Sequence, residues 1–201
     1  VSLSLPVSGP LALTGAALSD RLKLVFPPER FTHGFMPAKI DQAAWKQITR
    51  RMPFVGLGWT EVAAREDAGR LFDGTSHWTV FLVTRNSAGI AQRYFGDALG
   101  PGLFQMVQAA IGVLHGWTIE GSPDGDKGRI GTVAVTRAGN LFAEGIDLDD
   151  SAIAGLDLVA KFTLPVPAAV HGDEPDILKT LGIDWQFNGG DFPDVFTTEA
   201  A

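Results

Sequence analysis

The stretch His77–Arg85, HWTVFLVTR, constrains this 201-residue chain more than any other. Laid out as a strand, it puts Trp78, Val80, Leu82 and Thr84 on one side. Thr79, Phe81, Val83 and Arg85 fall on the other. A strand exposed on one face alternates apolar with polar. This one is apolar on both sides in its middle, the pattern of a central strand covered on both faces. Asn86 then turns the chain.

The strongest helical pattern follows. Leu103, Met106, Val107, Ala110, Ile111 and Leu114 recur at helical spacing, and Gly116 closes the helix after His115. A first helix is expected from Pro10, capped by Ser8 or Gly9, with Leu11, Gly15, Leu18, Leu22 and Val25 on one face and Pro27-Pro28 as its stop. The run PERFTHGFMPAK reads as a loop whose aromatic and methionine side chains pack against something. DQAAWKQITR, residues 41–50, reads as a short helix capped by Asp41, with Ala44, Trp45 and Ile48 inward. FVGLGWTEVAARE reads as a strand in which Gly56 and Gly58 mark a bulge or a close backbone approach. Residues 65–76 read as a polar connection, and IAQRYFGDAL as a short helix. WTIEG and RIGTVAVTRAGNLF read as strands separated by a turn, SPDGDKG. The segment 156–166 alternates, with Leu156, Leu158, Ala160, Phe162 and Leu164 on one face. Together these predict an α+β fold: an antiparallel or mixed sheet of about four to five strands with two to three helices packed on it. The expected division is one domain over 1–167 and an extended C-terminal arm over 168–201.

Charge supports that division. Residues 1–170 hold 16 acids and 15 bases, whereas 171–201 hold seven acids against Lys179 alone. The arm has no core-forming period, yet it contains Ile177, Leu181, Trp185, Phe187, Phe192 and Phe196. Such a segment is expected to lie on a neighbouring subunit or an adjoining ring rather than to hang free. No basic stripe is present to grip phosphates. With no cysteine, disulfide frameworks and thiolate metal sites are excluded. No apolar run is long enough for a spanning helix, and VSLSLPVSGP lacks the basic region of a signal peptide. The expectation is therefore a soluble chain without a membrane partner.

Groups that could carry chemistry are few. Asp124, Asp126 and Gly128 have the start of a calcium loop, but its twelfth position is Val135 rather than glutamate. Asp147, Asp149 and Asp150 form an acidic loop, and His171 opens HGDEPD without zinc-ligand spacing. Ser76, His77 and Asp73 are the least remote hydrolytic set, yet Ser76 and His77 would point to opposite faces of a strand. His33 is isolated, and His115 reads as a cation at a helix end. Gly100-Pro101-Gly102 and Gly56-Leu57-Gly58 lack a phosphate-loop pattern. The five tryptophans, without adjacent bases, read as core or interface. No catalytic, cofactor-binding or metal residue is assigned, and no cofactor is expected.

As a whole, the chain resembles the tail-terminator family of tailed bacteriophages, in particular the minor tail proteins of Mu-like prophages. The resemblance rests on several features: the N-terminal helix, Pro53-Phe54-Val55, the run W-x-V-x-L-V-x-R-N from Trp78 to Asn86, the glycine-led helix from Gly100 to Leu114, the strand Leu156 to Leu164, and Asp184-Trp185. It covers roughly residues 10–190. It implies a non-enzymatic virion protein, assembled in the host cytoplasm, that forms a hexameric ring at the head-proximal end of the tail tube. The ring stops tube polymerisation and meets the tail tube protein below and a head–tail connector above. DNA passes through its channel without sequence-specific binding. Two other readings stand beside it: a different head–tail joining or tail tube component, and a small virion-associated hydrolase using Ser76, His77 and Asp73.

Overall fold

The structure, a computed structural model, describes residues 9–36, 48, 50, 52–68, 71–98, 100–119, 130–141 and 150–165. The chain order is α1 (Pro10–Lys23), β1 (Thr32–Phe35), β2 (Phe54–Ala68), β3 (Leu71–Arg85), α2 (Ile90–Phe95), β4 (Gly96–Asp97), β5 (Gly100–Pro101), α3 (Leu103–Leu114), β6 (Ile130–Asn140) and β7 (Ser151–Pro165). Five strands form one mixed sheet in the order β1-β2-β3-β7-β6. Only the β1–β2 pair is parallel. β4 and β5 form a separate small hairpin. This is the α+β architecture that the sequence patterns predict.

β3 is the middle strand, as its two-sided pattern requires. It pairs along its length with β2 on one side and β7 on the other. Trp78, Val80 and Leu82 face α1 and α3 and are buried. On the opposite face Val83 is fully buried among Met36, Phe54 and Ile153. The two helices lie side by side on the first face. α1 begins at Pro10 behind the N-cap Gly9 and buries Thr14, Gly15, Leu18 and Leu22. Thr14 Oγ1 donates to Pro10 O at 2.7 Å, which satisfies its buried hydroxyl. α3 buries Leu103, Met106, Ala110 and Leu114, each contributing on the order of 1–3 kcal/mol for the larger side chains. Its N-cap, Gly102, has no side chain to offer. Gln105 Oε1 instead accepts the Gly102 N–H at 3.3 Å, the second half of a capping box. The helix closes at Gly116, whose φ of 77° is left-handed.

Several expectations are corrected. α1 stops at Lys23, before the proline pair, and Val25 is exposed while Phe26 is buried. Part of the predicted loop after Pro28 is strand β1. It buries its flanking residues Phe31 and Met36 but leaves Phe35 exposed. Four residues of a parallel edge strand carry no readable period, because their partner is remote in sequence. The polar connection expected at 65–76 is strand on both sides, since β2 runs to Ala68 and β3 starts at Leu71. Backbone pairing extends this hairpin past the apolar core, and polar side chains there do not oppose it. β7 starts at Ser151, not Leu156; its first residues, Ala152 to Gly155, are buried on both faces and so do not alternate. WTIEG contributes a single bridge, Thr118 to Thr132, rather than a strand. The glycine pair does mark a close approach. A Cβ on Gly56 would lie 2.6 Å from Met36 Cγ, and β2 has a bulge between Trp59 and Glu61. The helix 41–50, apart from Ile48 and Arg50, the turn at 121–129 and the arm at 168–201 lie outside the described residues.

Val83→Asp should abolish folding. An unpaired carboxylate at this buried position costs several kcal/mol, against a typical net stability of about 5–15 kcal/mol. A soluble variant with an unchanged melting temperature by circular dichroism would refute the two-sided burial of β3.

Candidate functional site

Ser76, His77 and Asp73 all lie on β3, and the fold does not bring them together. Ser76 faces the helices and is fully buried. Its hydroxyl donates to Ala160 O at 3.1 Å and accepts the Trp78 indole N–H at 3.1 Å. It is a structural link between β3, β7 and the tryptophan. His77 points to the other face, with Nδ1 4.0 Å from Glu61 Oε1. Asp73 pairs with Arg65 at 3.3 Å. A relay needs nucleophile and base within hydrogen-bond reach, and here the strand separates them.

The isolated histidines are also tied to the backbone. His33 Nε2 lies 2.7 Å from Phe26 O. His115 Nδ1 accepts the Val135 N–H at 3.1 Å, so it fastens the end of α3 to β6. Asp150, the one described residue of the acidic loop, is held by Arg93 at 3.2 Å and Arg85 at 3.8 Å. Asp124, Asp126, Gly128, Asp147, Asp149 and His171 lie outside the described residues. Among the described residues no three histidines or acids converge on a possible metal position. Trp78 is core, Trp59 is exposed, and Trp117 carries Arg21 over its ring at 5.0 Å.

The polar groups do converge at one end of the sheet, where β3 finishes. Asn86 is the hub. Its N–H donates to Asp150 O, its amide Nδ2 donates to Asp97 Oδ2 at 2.8 Å, and its Oδ1 accepts the Ala88 N–H at 2.9 Å. Arg93 Nε closes the turn on Asn86 O at 3.0 Å. Thr84 Oγ1 donates to Pro101 O at 3.0 Å, which anchors the β4–β5 hairpin to β3. Beside this network lies an open cavity of about 600 Å³, lined by Arg30, Arg50, Arg85 and Asp150 over Phe31 and Met52. The sequence gives no sign of it, because its three arginines come from separate segments and meet only through the fold.

Two apolar patches stand apart on the surface, one at the β1/β2 edge and one on the helices α2 and α3. At the β1/β2 edge, Phe35 is 69% and Trp59 51% exposed, and Phe35 borders a shallow groove of about 470 Å³ against α1. Toward the β6 edge, Ile90 and Phe95 of α2 are exposed, Phe95 at 67%. Phe95 and Tyr94 each stack on Phe104 of α3 with centroids 5.3 Å apart, and Tyr94 hydrogen-bonds Asn140 at the end of β6. Single exposed apolar residues are ordinary, but clustered aromatics mark contact surfaces.

The described residues thus define an α+β protein whose polar clusters brace the backbone and whose distinctive surfaces are apolar patches and one cationic cavity. The profile of the Bacteriophage Mu, Gp37 family matches residues 10–139, and the chain belongs to that family. It is a Mu-like phage protein. A comparison with curated proteins gives no match. Among the described residues no helix is long and apolar enough to cross a membrane.

Ser76→Ala should lower unfolding free energy by about 1–3 kcal/mol, because it strands the Trp78 N–H in a buried site. Denaturant unfolding measures this directly. A fully stable variant would contradict the structural role.

Proposed function

We propose that the chain is a structural virion protein, the tail terminator of a Mu-like phage. It would form a ring, hexameric by resemblance, at the head-proximal end of the tail tube. There it would stop tube polymerisation and join the tail to the head. The observation that carries this reading is the pair of separate apolar patches, one at the β1/β2 sheet edge and one on the helices α2 and α3. A terminator has to meet two different neighbours, the tube protein below and a connector above, so it needs two unlike contact faces. Phe35 and Trp59 form one such face, and Ile90, Phe95 and Phe104 the other. Membership of a Mu phage family supports the same reading. The charge balance suits a channel for DNA, since 16 acids and 15 bases over residues 1–170 give little net attraction for phosphate. Neither sequence-specific DNA binding nor a membrane partner is part of this proposal.

Phe35→Glu and Phe95→Glu separate the two faces. Both positions are exposed, so each variant should fold, Phe35→Glu within about 0.5 kcal/mol of the parent and Phe95→Glu about 1 kcal/mol below it through loss of the Phe104 contact. Each should block one junction only, leaving either unjoined heads beside finished tails or tubes that the protein no longer binds, as seen by electron microscopy. Virions assembled at full yield by both variants would defeat the proposal.

The acidic arm belongs to the same reading, as a contact between subunits. Deleting residues 168–201 should leave a folded monomer with weakened self-association in sedimentation. Normal assembly of the truncated chain, or failure of the monomer to fold, would count against that role.

A further inference from the structure

The cavity at the end of β3 has an excess of positive charge. Of its charged lining residues, Arg85 shares Asp150 with Arg93, while Arg30 and Arg50 have no carboxylate partner among the described residues. Phe31 and Met52 also line the cavity. Guanidinium groups with apolar side chains among them suit a segment that brings carboxylates and hydrophobic side chains together.

The chain contains such a segment. After Pro165 come Asp173, Glu174 and Asp176, flanked by Val170 and Ile177. The geometry decides whose copy can supply it. β7 starts at Ser151, opposite Arg85 at the cavity end, and runs 15 residues to Pro165, opposite Leu71 at the far end. At about 3.3 Å per residue that separation is roughly 45 Å. Asp173, Glu174 and Asp176 follow Pro165 by eight, nine and eleven residues. A fully extended chain covers about 3.5 Å per residue, so Asp173 and Glu174 reach at most about 32 Å and fall short of their own cavity, while Asp176, at about 39 Å, arrives only with backbone and side chains at full stretch.

We propose that the cavity lined by Arg30, Arg50 and Arg85 receives the Asp173-Glu174-Pro175-Asp176 run of a second copy of this chain. The contact joins the far strand end of one subunit to the cavity end of the next. It is head-to-tail, the type that closes into a ring when the rotation allows. The two apolar patches then remain free for the tube and the connector. This inference rests on the ring-forming reading given above and supplies its subunit contact.

The absence of cysteine makes the test clean. One full-length population carries Ser87→Cys at the cavity, and a second carries Gly172→Cys beside the acidic run. Mixed under mild oxidation, they should form a disulfide between unlike copies. A chain with both substitutions should give a ladder of linked subunits. Cross-link yield should fall about tenfold with Arg30→Ala plus Arg50→Ala, and likewise with Asp173→Asn, Glu174→Gln and Asp176→Asn together. The second set keeps the test valid if the arginine variant does not fold. No link between unlike copies, a link confined within single chains, or a yield indifferent to both charge removals would overturn the proposal. Binding of duplex DNA that is lost in the arginine variant, without any cross-link, would assign the cavity to phosphate instead. The outcome is independent of the tail role. Rings without the link defeat this contact alone, whereas linked copies that never arrest a tube defeat the terminator reading alone.

Discussion

Everything in this protein is arranged around the burial of β3 on both faces. One face receives α1 and α3, and Trp78 is its anchor. The indole ring lies so close to α1 that a Cβ on Gly15 would sit 2.8 Å from Trp78 Cη2. The ring nitrogen is satisfied by Ser76, which in turn donates to β7 at Ala160. Helix, central strand and neighbouring strand are thereby fixed through one side chain. On the other face, among the described residues, Val83 is covered toward the end of β3 by Met36, Phe54 and Ile153. The exposed apolar patches, at the β1/β2 edge and on α2 and α3, and the cationic cavity where β3 ends lie at the margins of this arrangement.

That central burial was legible in the sequence because a strand displays its environment residue by residue. Val80 and Leu82 on one side, with Phe81 and Val83 on the other, could only mean a middle strand. Helix α3 was legible for the same reason, as was the alternating half of β7 from Leu156 onward. The illegible parts share a different cause. β1 exists because residues 32–35 meet residues 54–57, a pairing that neither segment announces. The polar reaches of β2 and β3 are strands because the backbone ladder continues where the core does not. Ala152 to Gly155 are buried on both faces, and a short apolar run of that kind has no period to read.

The same division holds for the candidate sites. Ser76, His77 and Asp73 could be judged from the sequence because strand alternation already set Ser76 and His77 on opposite faces. Arg30, Arg50 and Arg85 could not be grouped, since a loop, a second segment and a strand end supply one each. Phe35 was equally hidden. The sequence placed it among three large side chains expected to pack, and the fold buries Phe31 and Met36 while presenting Phe35 outward. A strand whose neighbours on both sides are buried can still turn its third side chain to solvent, and that side chain becomes available to a partner.

The proposed reading joins two separate apolar patches and an acidic run beyond the last strand to a role between other subunits. On the proposed reading this chain ends the growth of a tail tube. That role is tested most directly by measuring tube lengths by electron microscopy in lysates of a phage lacking this protein. The account predicts tubes of variable, excessive length without attached heads, restored to uniform length when the protein is supplied. Tubes of normal, uniform length in its absence would contradict it.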